Sequence, residues 1–187
     1  MKKLNSEKTA LLIVDMLNDF VRKNGALVVP HALDLIPNQK KLLQKARQTK
    51  VKVIYLADHH LPNDREFEKW PPHAIVGTPG SDVIQELRPR EGEQVIPKRR
   101  YSGFFGTDLD LILRESGVET IILAGVLTDI CVMYTSADAS ARNYDVLVIT
   151  DATGSVSDET HRFALNHMKA VHGALLVSTK EAIGLIT

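Results

Sequence analysis

The chain carries a single cysteine, Cys131, in the run Ala124-Gly125-Val126-Leu127-Thr128-Asp129-Ile130-Cys131-Val132. This run leads from an apolar stretch, through a glycine-containing turn, into the start of an alanine-rich helical segment. A thiol at a helix start faces the positive end of the dipole and free backbone amides, which lower its pKa and can also hold an oxyanion. A lone cysteine is equally at home as a small buried hydrophobe. Two further residues bear on the choice. Asp15 closes the apolar run Ala10 to Val14, and Lys98 lies in Pro97-Lys98-Arg99-Arg100-Tyr101. Singly, the first reads as a cap or turn residue and the second as part of a solvated basic loop. With Cys131 they supply a nucleophile, a carboxylate able to take and return its proton, and a cation able to stabilise the thiolate. Arg99 and Arg100 suit the last role less well, because a fixed-charge guanidinium favours ion pairing over tunable chemistry.

A second constellation is Asp58-His59-His60 with His73. On an extended backbone alternate residues share a face, so Asp58 and His60 converge while His59 points away. His73 follows Trp70-Pro71-Pro72, whose prolines stiffen the approach. One carboxylate and two imidazoles suit zinc, iron or manganese and leave coordination positions open. Histidines in a long loop are also often incidental, and spacing alone leaves both readings standing. His31, His161, His167 and His172 read as surface or helix-packing residues.

These residues need elements to position them. Short β-branched runs read as buried strands: Ala10 to Val14, Val51 to Leu56, Gln94 to Ile96, Thr120 to Ala124, Val146 to Ile149 and Ala174 to Val177. Between them, helical spacing appears at Leu33, Ile36, Leu42, Leu43 and Ala46, at Leu109, Ile112 and Leu113, at Ala137, Ala139 and Ala141, and at Phe163, Ala164, Met168 and Val171. Alternation of this kind predicts a three-layer α/β/α architecture around a parallel sheet. Gly117 reads as a helix stop, and Ser157 to Thr160 as a helix start. The long irregular stretch is Asp58 to Ser81, rich in proline and glycine; a loop of that length is usually functional or disordered, and its Trp70 and histidines favour function. Ligands in such sheets bind beyond the carboxyl ends of the strands. Asp15, Asp58 with His60, Lys98 and the Gly125 to Cys131 turn each follow a strand.

Composition sets the frame. At 187 residues and 20.7 kDa the chain has the size of one domain, expected to span 1–187. Lys plus Arg and Asp plus Glu are both 23, giving a net charge of zero, which argues against nucleic-acid and membrane-surface partners. One cysteine forms no internal disulfide and fits a reducing, cytoplasmic setting. The apolar run after the basic N-terminus is broken by Asp15, too early for a signal peptide or a membrane span.

Several segments then coincide with one pattern. Leu12 to Phe20, Asp58-His59-His60, Trp70-Pro71-Pro72-His73 with Gly77-Thr78-Pro79-Gly80, Lys98 to Phe104 with Gly106-Thr107-Asp108-Leu109, and Gly125 to Val132 resemble, in order and spacing, the nicotinamidases of the isochorismatase-like cysteine hydrolase superfamily. The resemblance implies a Rossmann-like sheet of six parallel strands and a catalytic Asp15, Lys98 and Cys131. It implies a cis peptide before Leu127, with the amides of Leu127 and Cys131 as the oxyanion hole. It also implies one divalent metal, zinc before iron or manganese, held by Asp58, His60 and His73, with Glu66 at the place of a further ligand found in some nicotinamidases. Phe20 and Trp70 match residues flanking a flat ring, and Tyr101 and Phe104 are candidates for the same pocket. The activity implied is hydrolysis of nicotinamide to nicotinate and ammonia through a thioester; the alternative is a relative acting on a carbamoyl or ureido amide. Relatives are commonly dimers or tetramers, so a homo-oligomer is the expectation.

Overall fold

The computed structural model describes residues 3–187. Six strands form one parallel sheet: β1 (Thr9–Val14), β2 (Lys52–Asp58), β3 (Gln94–Lys98), β4 (Thr120–Val126), β5 (Asp145–Gly154) and β6 (Leu175–Val177), in the order β3-β2-β1-β4-β5-β6. Every residue of the two central strands, β1 and β4, is buried, which is why both read as unbroken apolar runs rather than alternating ones.

The period-2 alternation of side chains distributes β1 between two cores. Leu11 and Ile13 join the cluster beneath α2 (Ala32–Arg47) and α6 (Thr179–Leu185). Ala10, Leu12 and Val14 join the opposite cluster beneath α3 (Leu109–Glu115), α4 (Met133–Ala141) and α5 (Asp158–Val171). The short α1 (Asn18–Val21) follows β1. Gly117, at φ 65°, lies just past α3, and the Ser157 side chain caps α5 by accepting from the Thr160 amide. No helix among the described residues is long and apolar enough to cross a membrane.

Several sequence expectations shift in detail. β3 runs on to Lys98 and β4 to Val126, so Lys98 and Gly125 lie in the strand ends rather than after them. Leu33, Phe163 and Val171 are exposed, not core-facing, and so is Ala141. Phe163 stands about 100° around the helix from the buried Ala164 and so falls off the stripe that Ala164 and Met168 share. The Asp58 to Ser81 stretch is ordered. It contains 3-10 turns at Arg65–Glu68 and Pro79–Ser81, and His60 bridges to the far limb through its amide to Ala74 O (2.9 Å) and its carbonyl from Val76 N (2.9 Å). Asp19 ties this limb to α1 by accepting from the Ala74 amide (2.8 Å).

Strand order reverses between β1 and β4, the switch point at which a parallel sheet opens a crevice at its carboxyl edge. The close approach there depends on Gly125. Its φ is 124°, and a Cβ would lie 2.0 Å from Val14 O. Gly125→Ala is therefore expected to destabilise the protein by about 3 kcal/mol or more, lowering Tm by roughly 6–12 °C in thermal unfolding. An unchanged Tm would show that the strands can part there.

Candidate active site

Four strand ends converge on the Lys98 ammonium. It is carried by the last residue of β3, whose register partner on β2 is Asp58. Lys98 Nζ lies 2.6 Å from Asp58 Oδ1, 2.8 Å from Asp15 Oδ2 and 3.4 Å from Cys131 Sγ. All four residues are buried. Asp15 follows β1 at a left-handed φ of 51°, and its Oδ1 accepts the Asp58 amide (2.8 Å) while Oδ2 makes no well-aligned hydrogen bond. An oxygen of Asp15, one of Asp58 and the Cys131 sulfur all lie within 4.8 Å of one another. The ammonium already stands among these atoms and pairs with both carboxylates, so this trio is an acid–base cluster with one excess negative charge rather than a cation site.

Cys131 belongs to a π-helical turn, Thr128–Val132, between β4 and α4. The peptide joining Val126 to Leu127 is cis, as the family resemblance implies. Two side-chain contacts fasten the turn to α5 and the segment leading into it: Thr128 Oγ1 with His161 Nδ1 (2.8 Å), and Asp129 with the Ser155 hydroxyl.

The electrostatics correct one expectation. Burial pushes the Cys131 thiol well above its ordinary value, and the Asp15 and Asp58 charges add to this; Lys98 opposes them without prevailing. The thiol is thus favoured as neutral S–H at rest, against the lowered pKa that a helix start suggested and in keeping with a carboxylate that takes its proton. Asp15 is raised to about 6 by burial and by the neighbouring Asp58 charge, against the pull of Lys98. Burial also raises Asp58, but Lys98 and His60 overcome it and hold that carboxyl at about 2. Lys98 is disfavoured by burial yet kept charged by Asp15 and Asp58.

The second constellation assembles beside the first. A ligand atom from each of Asp58, His60 and His73 lies within 4.8 Å of the others. His60 Nε2 is 3.5 Å, and His73 Nε2 3.9 Å, from Asp58 Oδ2. The opposite ring nitrogens are engaged: His73 Nδ1 with Pro71 O (2.7 Å), His60 Nδ1 with Asp64 Oδ2 (3.3 Å). That arrangement leaves both Nε2 atoms facing the carboxylate, and His60 Nε2 is fully buried without a hydrogen-bond partner. A carboxylate and two imidazole lone pairs converging this way fit a divalent metal. Glu66 stands outside this tight trio, its Oε2 3.7 Å from Arg100 Nη1, but lines the adjoining cavity.

That cavity, about 530 Å³, joins the two constellations. Asp15 and Cys131 lie in its wall together with Asp58, His73 and Glu66. Phe20, Trp70 and Tyr101 contribute aromatic surface, and Trp70 Nε1 donates to the Tyr101 hydroxyl (3.1 Å). Phe104 does not line it. It packs in the core against Tyr144 (ring centroids 6.0 Å apart) with the Arg142 guanidinium over its face, because the turn after Tyr101 carries it beneath α3 and α4. Residues not foreseen include Leu27, Val28, Val29, Ile130 and Val156, from three separate parts of the chain. Phe67 was also missed; its ring packs edge-on against His60 (5.4 Å) and His73 (5.7 Å). Its signal was a lone apolar residue in the charged run Asp64-Arg65-Glu66-Phe67-Glu68-Lys69.

A parallel sheet with an acid, an ammonium and a thiol at its switch point defines a hydrolase of the isochorismatase type, and the chain belongs to the isochorismatase family, whose domain matches residues 9–181. Within that family it is similar to the pyrazinamidase/nicotinamidase of Streptococcus mutans UA159, at 37% identity and a TM-score of 0.86 over 90% of this chain and 99% of that one. The pyrazinamidase of Pyrococcus horikoshii, solved in complex with zinc, is 32% identical with a TM-score of 0.86, covering 91% of this chain and 99% of that one. The N-carbamoylsarcosine amidase of Thermoplasma acidophilum is 39% identical with a TM-score of 0.85, covering 92% and 96%.

Because Cys131 is the one cysteine, alkylation reports on it directly. A folded-state pKa raised above 9.0 keeps the thiolate fraction at pH 7 below that of a free cysteine. The alkylation rate should therefore keep rising beyond pH 9. A plateau near neutrality would show that the helix start and Lys98 outweigh burial.

Proposed function

We propose that the protein hydrolyses nicotinamide, or a closely similar flat heteroaromatic carboxamide, to the carboxylate and ammonia. The observation that carries this reading is the character of the cavity joining the metal-ligand trio to Cys131. Its wall is apolar and aromatic, and its charged lining residues, Asp15, Asp58 and Glu66, are all acidic. Lys98, the nearest ammonium, is already held by two carboxylates. A neutral aromatic amide fits such a wall. A carbamoyl amino acid carries a carboxylate at neutral pH, which would meet Asp15, Asp58 and Glu66 and find no free side-chain cation in the lining, leaving only a bound metal to receive it. The similarity to an N-carbamoylsarcosine amidase favours that second reading, and the lining chemistry weighs against it.

Asp15 takes the Cys131 proton on Oδ2, and the sulfur attacks the carboxamide carbon. With Asp15 at about 6, the base is ionised at neutral pH yet readily protonated, as reversible proton transfer requires. Transfer from the thiol becomes favourable as the sulfur begins bonding to carbon, with Lys98 at 3.4 Å available to offset developing negative charge. The backbone amides of Leu127 and Cys131 are proposed to hold the oxyanion; losing one such donor costs about 3 kcal/mol in comparable sites. Asp15 returns its proton to the departing nitrogen, ammonia leaves, and a thioester remains. Water, deprotonated by Asp15, then releases the acid and restores the thiol. A metal held by Asp58, His60 and His73 would supply a Lewis-acid anchor for the ring nitrogen. Phe20 and Trp70 would flank the ring, which fixes the carboxamide near Cys131.

Cys131→Ala should abolish ammonia release with fold and metal content unchanged; substantial residual turnover would overturn the nucleophile assignment. Ammonia release from a panel of nicotinamide, carbamoyl and ureido substrates distinguishes the two readings, nicotinamide being expected to give the highest kcat/KM. His73→Ala should lower metal content and raise KM, with a loss in affinity or activity of at least about 10–100-fold. Alkylation of Cys131 should persist in that variant. Unchanged metal content and activity would leave His73 a loop residue and favour a metal-free amidase.

A further inference from the structure

The cations that follow β3 do not stop at Lys98. Arg99 and Arg100 come next, and both reach the same carboxylate on the neighbouring loop. Asp64 accepts from Arg99 Nε (2.9 Å), from Arg100 Nη1 (3.1 Å) and from the Glu66 amide (3.1 Å); Arg99 Nη2 also lies 2.9 Å from its Oδ2, and His60 Nδ1 stands 3.3 Å from the same oxygen. The Asp64 side chain is entirely buried, whereas the Arg99 and Arg100 side chains are 48% and 40% exposed. Burial opposes the Asp64 charge, but the Glu66 amide and the arginines hold it well below the usual carboxylate range. A buried carboxylate is not maintained without cause; unpaired it costs several kcal/mol.

We propose that Asp64 is a positioning residue for the metal-ligand trio, and that Arg99 and Arg100 hold it in place. Asp64 accepts the Nδ1 proton of His60, which presents the Nε2 lone pair to the site shared with Asp58 and His73 and prevents the ring from turning over. The two arginines balance the buried charge and lock the carboxylate rotamer from the solvent side. The inference rests on the metal reading above, and it concerns ligand geometry rather than substrate.

The arginines make the test decisive, because positioning and simple electrostatics give opposite signs. Removing two cations near a divalent-metal site should tighten binding if only through-space charge matters. If they position Asp64, removing them should weaken it. Zinc affinity would be measured by chelator competition on the full-length protein, with the Tm of the metal-free form as a control for folding. Arg99→Gln/Arg100→Gln, changed where the side chains are partly exposed, should bind zinc about 10-fold more weakly. Asp64→Asn should lose about 10–100-fold, the range typical of groups that orient metal-bound histidines. In the zinc-loaded protein the ring N–H of His60 should be protected from exchange, and that protection should disappear in Asp64→Asn. Unchanged or tighter zinc binding by the arginine variant, at an unchanged Tm, would overturn the proposal, even if Asp64→Asn fails to fold. Failure of the unsubstituted protein to bind zinc would instead remove the metal reading, and this inference with it.

Discussion

The Lys98 ammonium, buried beneath Asp15, Asp58 and Cys131, is the constraint from which the rest of the site follows. A buried lysine survives as a cation only if opposite charge meets it at hydrogen-bond distance, and here two carboxylates do so at 2.6 and 2.8 Å. Lys98 in turn favours the ionised form of both carboxylates, with His60 adding to its effect on Asp58. The three charges therefore have to be brought together by the fold. Parallel pairing does this: β1 delivers Asp15, β2 delivers Asp58, and β3 delivers Lys98 opposite Asp58. Burial and the remaining negative charge make the thiol reluctant to ionise, which keeps it as S–H at rest.

Asp58 links this cluster to the second one. One of its oxygens binds Lys98, while the other faces His60 and His73. A single carboxylate thus belongs to both clusters, and the cavity of about 530 Å³ is lined by Cys131 on one side and His73 on the other. The loop beyond β2 is stiffened accordingly, by the bridge from His60 to its far limb, by Asp19 at Ala74 and by the Asp64 cluster. Trp70 and His73, on either side of its proline pair, both line the cavity.

Much of this was legible in the residues. The strands announced themselves because both faces of the central sheet are covered, which demands continuous apolar runs. The rule that ligands lie at the carboxyl ends of parallel strands then brought Asp15, Asp58, His60, Lys98 and Cys131 to one edge, and the structure gathers all of them there. Fully exposed sides of helices were less legible: Leu33, Phe163 and Val171 are apolar and helical yet lie outside the core. A helix stripe is defined by angle about its axis, and a single residue's offset turns a side chain from core to solvent.

Taken by itself, the sequence determined which chemical groups exist, the order in which strands present them, and the alternation that folds them into a sheet. Those properties depend on local pattern and on topology with few alternatives. Only the tertiary structure decided how the groups behave. The thiol pKa is raised because burial and two anions act on it from separate strands, an effect with no local signature. Phe104 leaves the cavity and Phe67 comes to the imidazoles because ring placement depends on packing between distant segments. Arg99 and Arg100 look like a solvated basic run until the loop from β2 folds across and sets the buried Asp64 between them. Spacing along the chain specifies neighbours on one element; charge balance and burial belong to the space between elements, and only the assembled fold determines them.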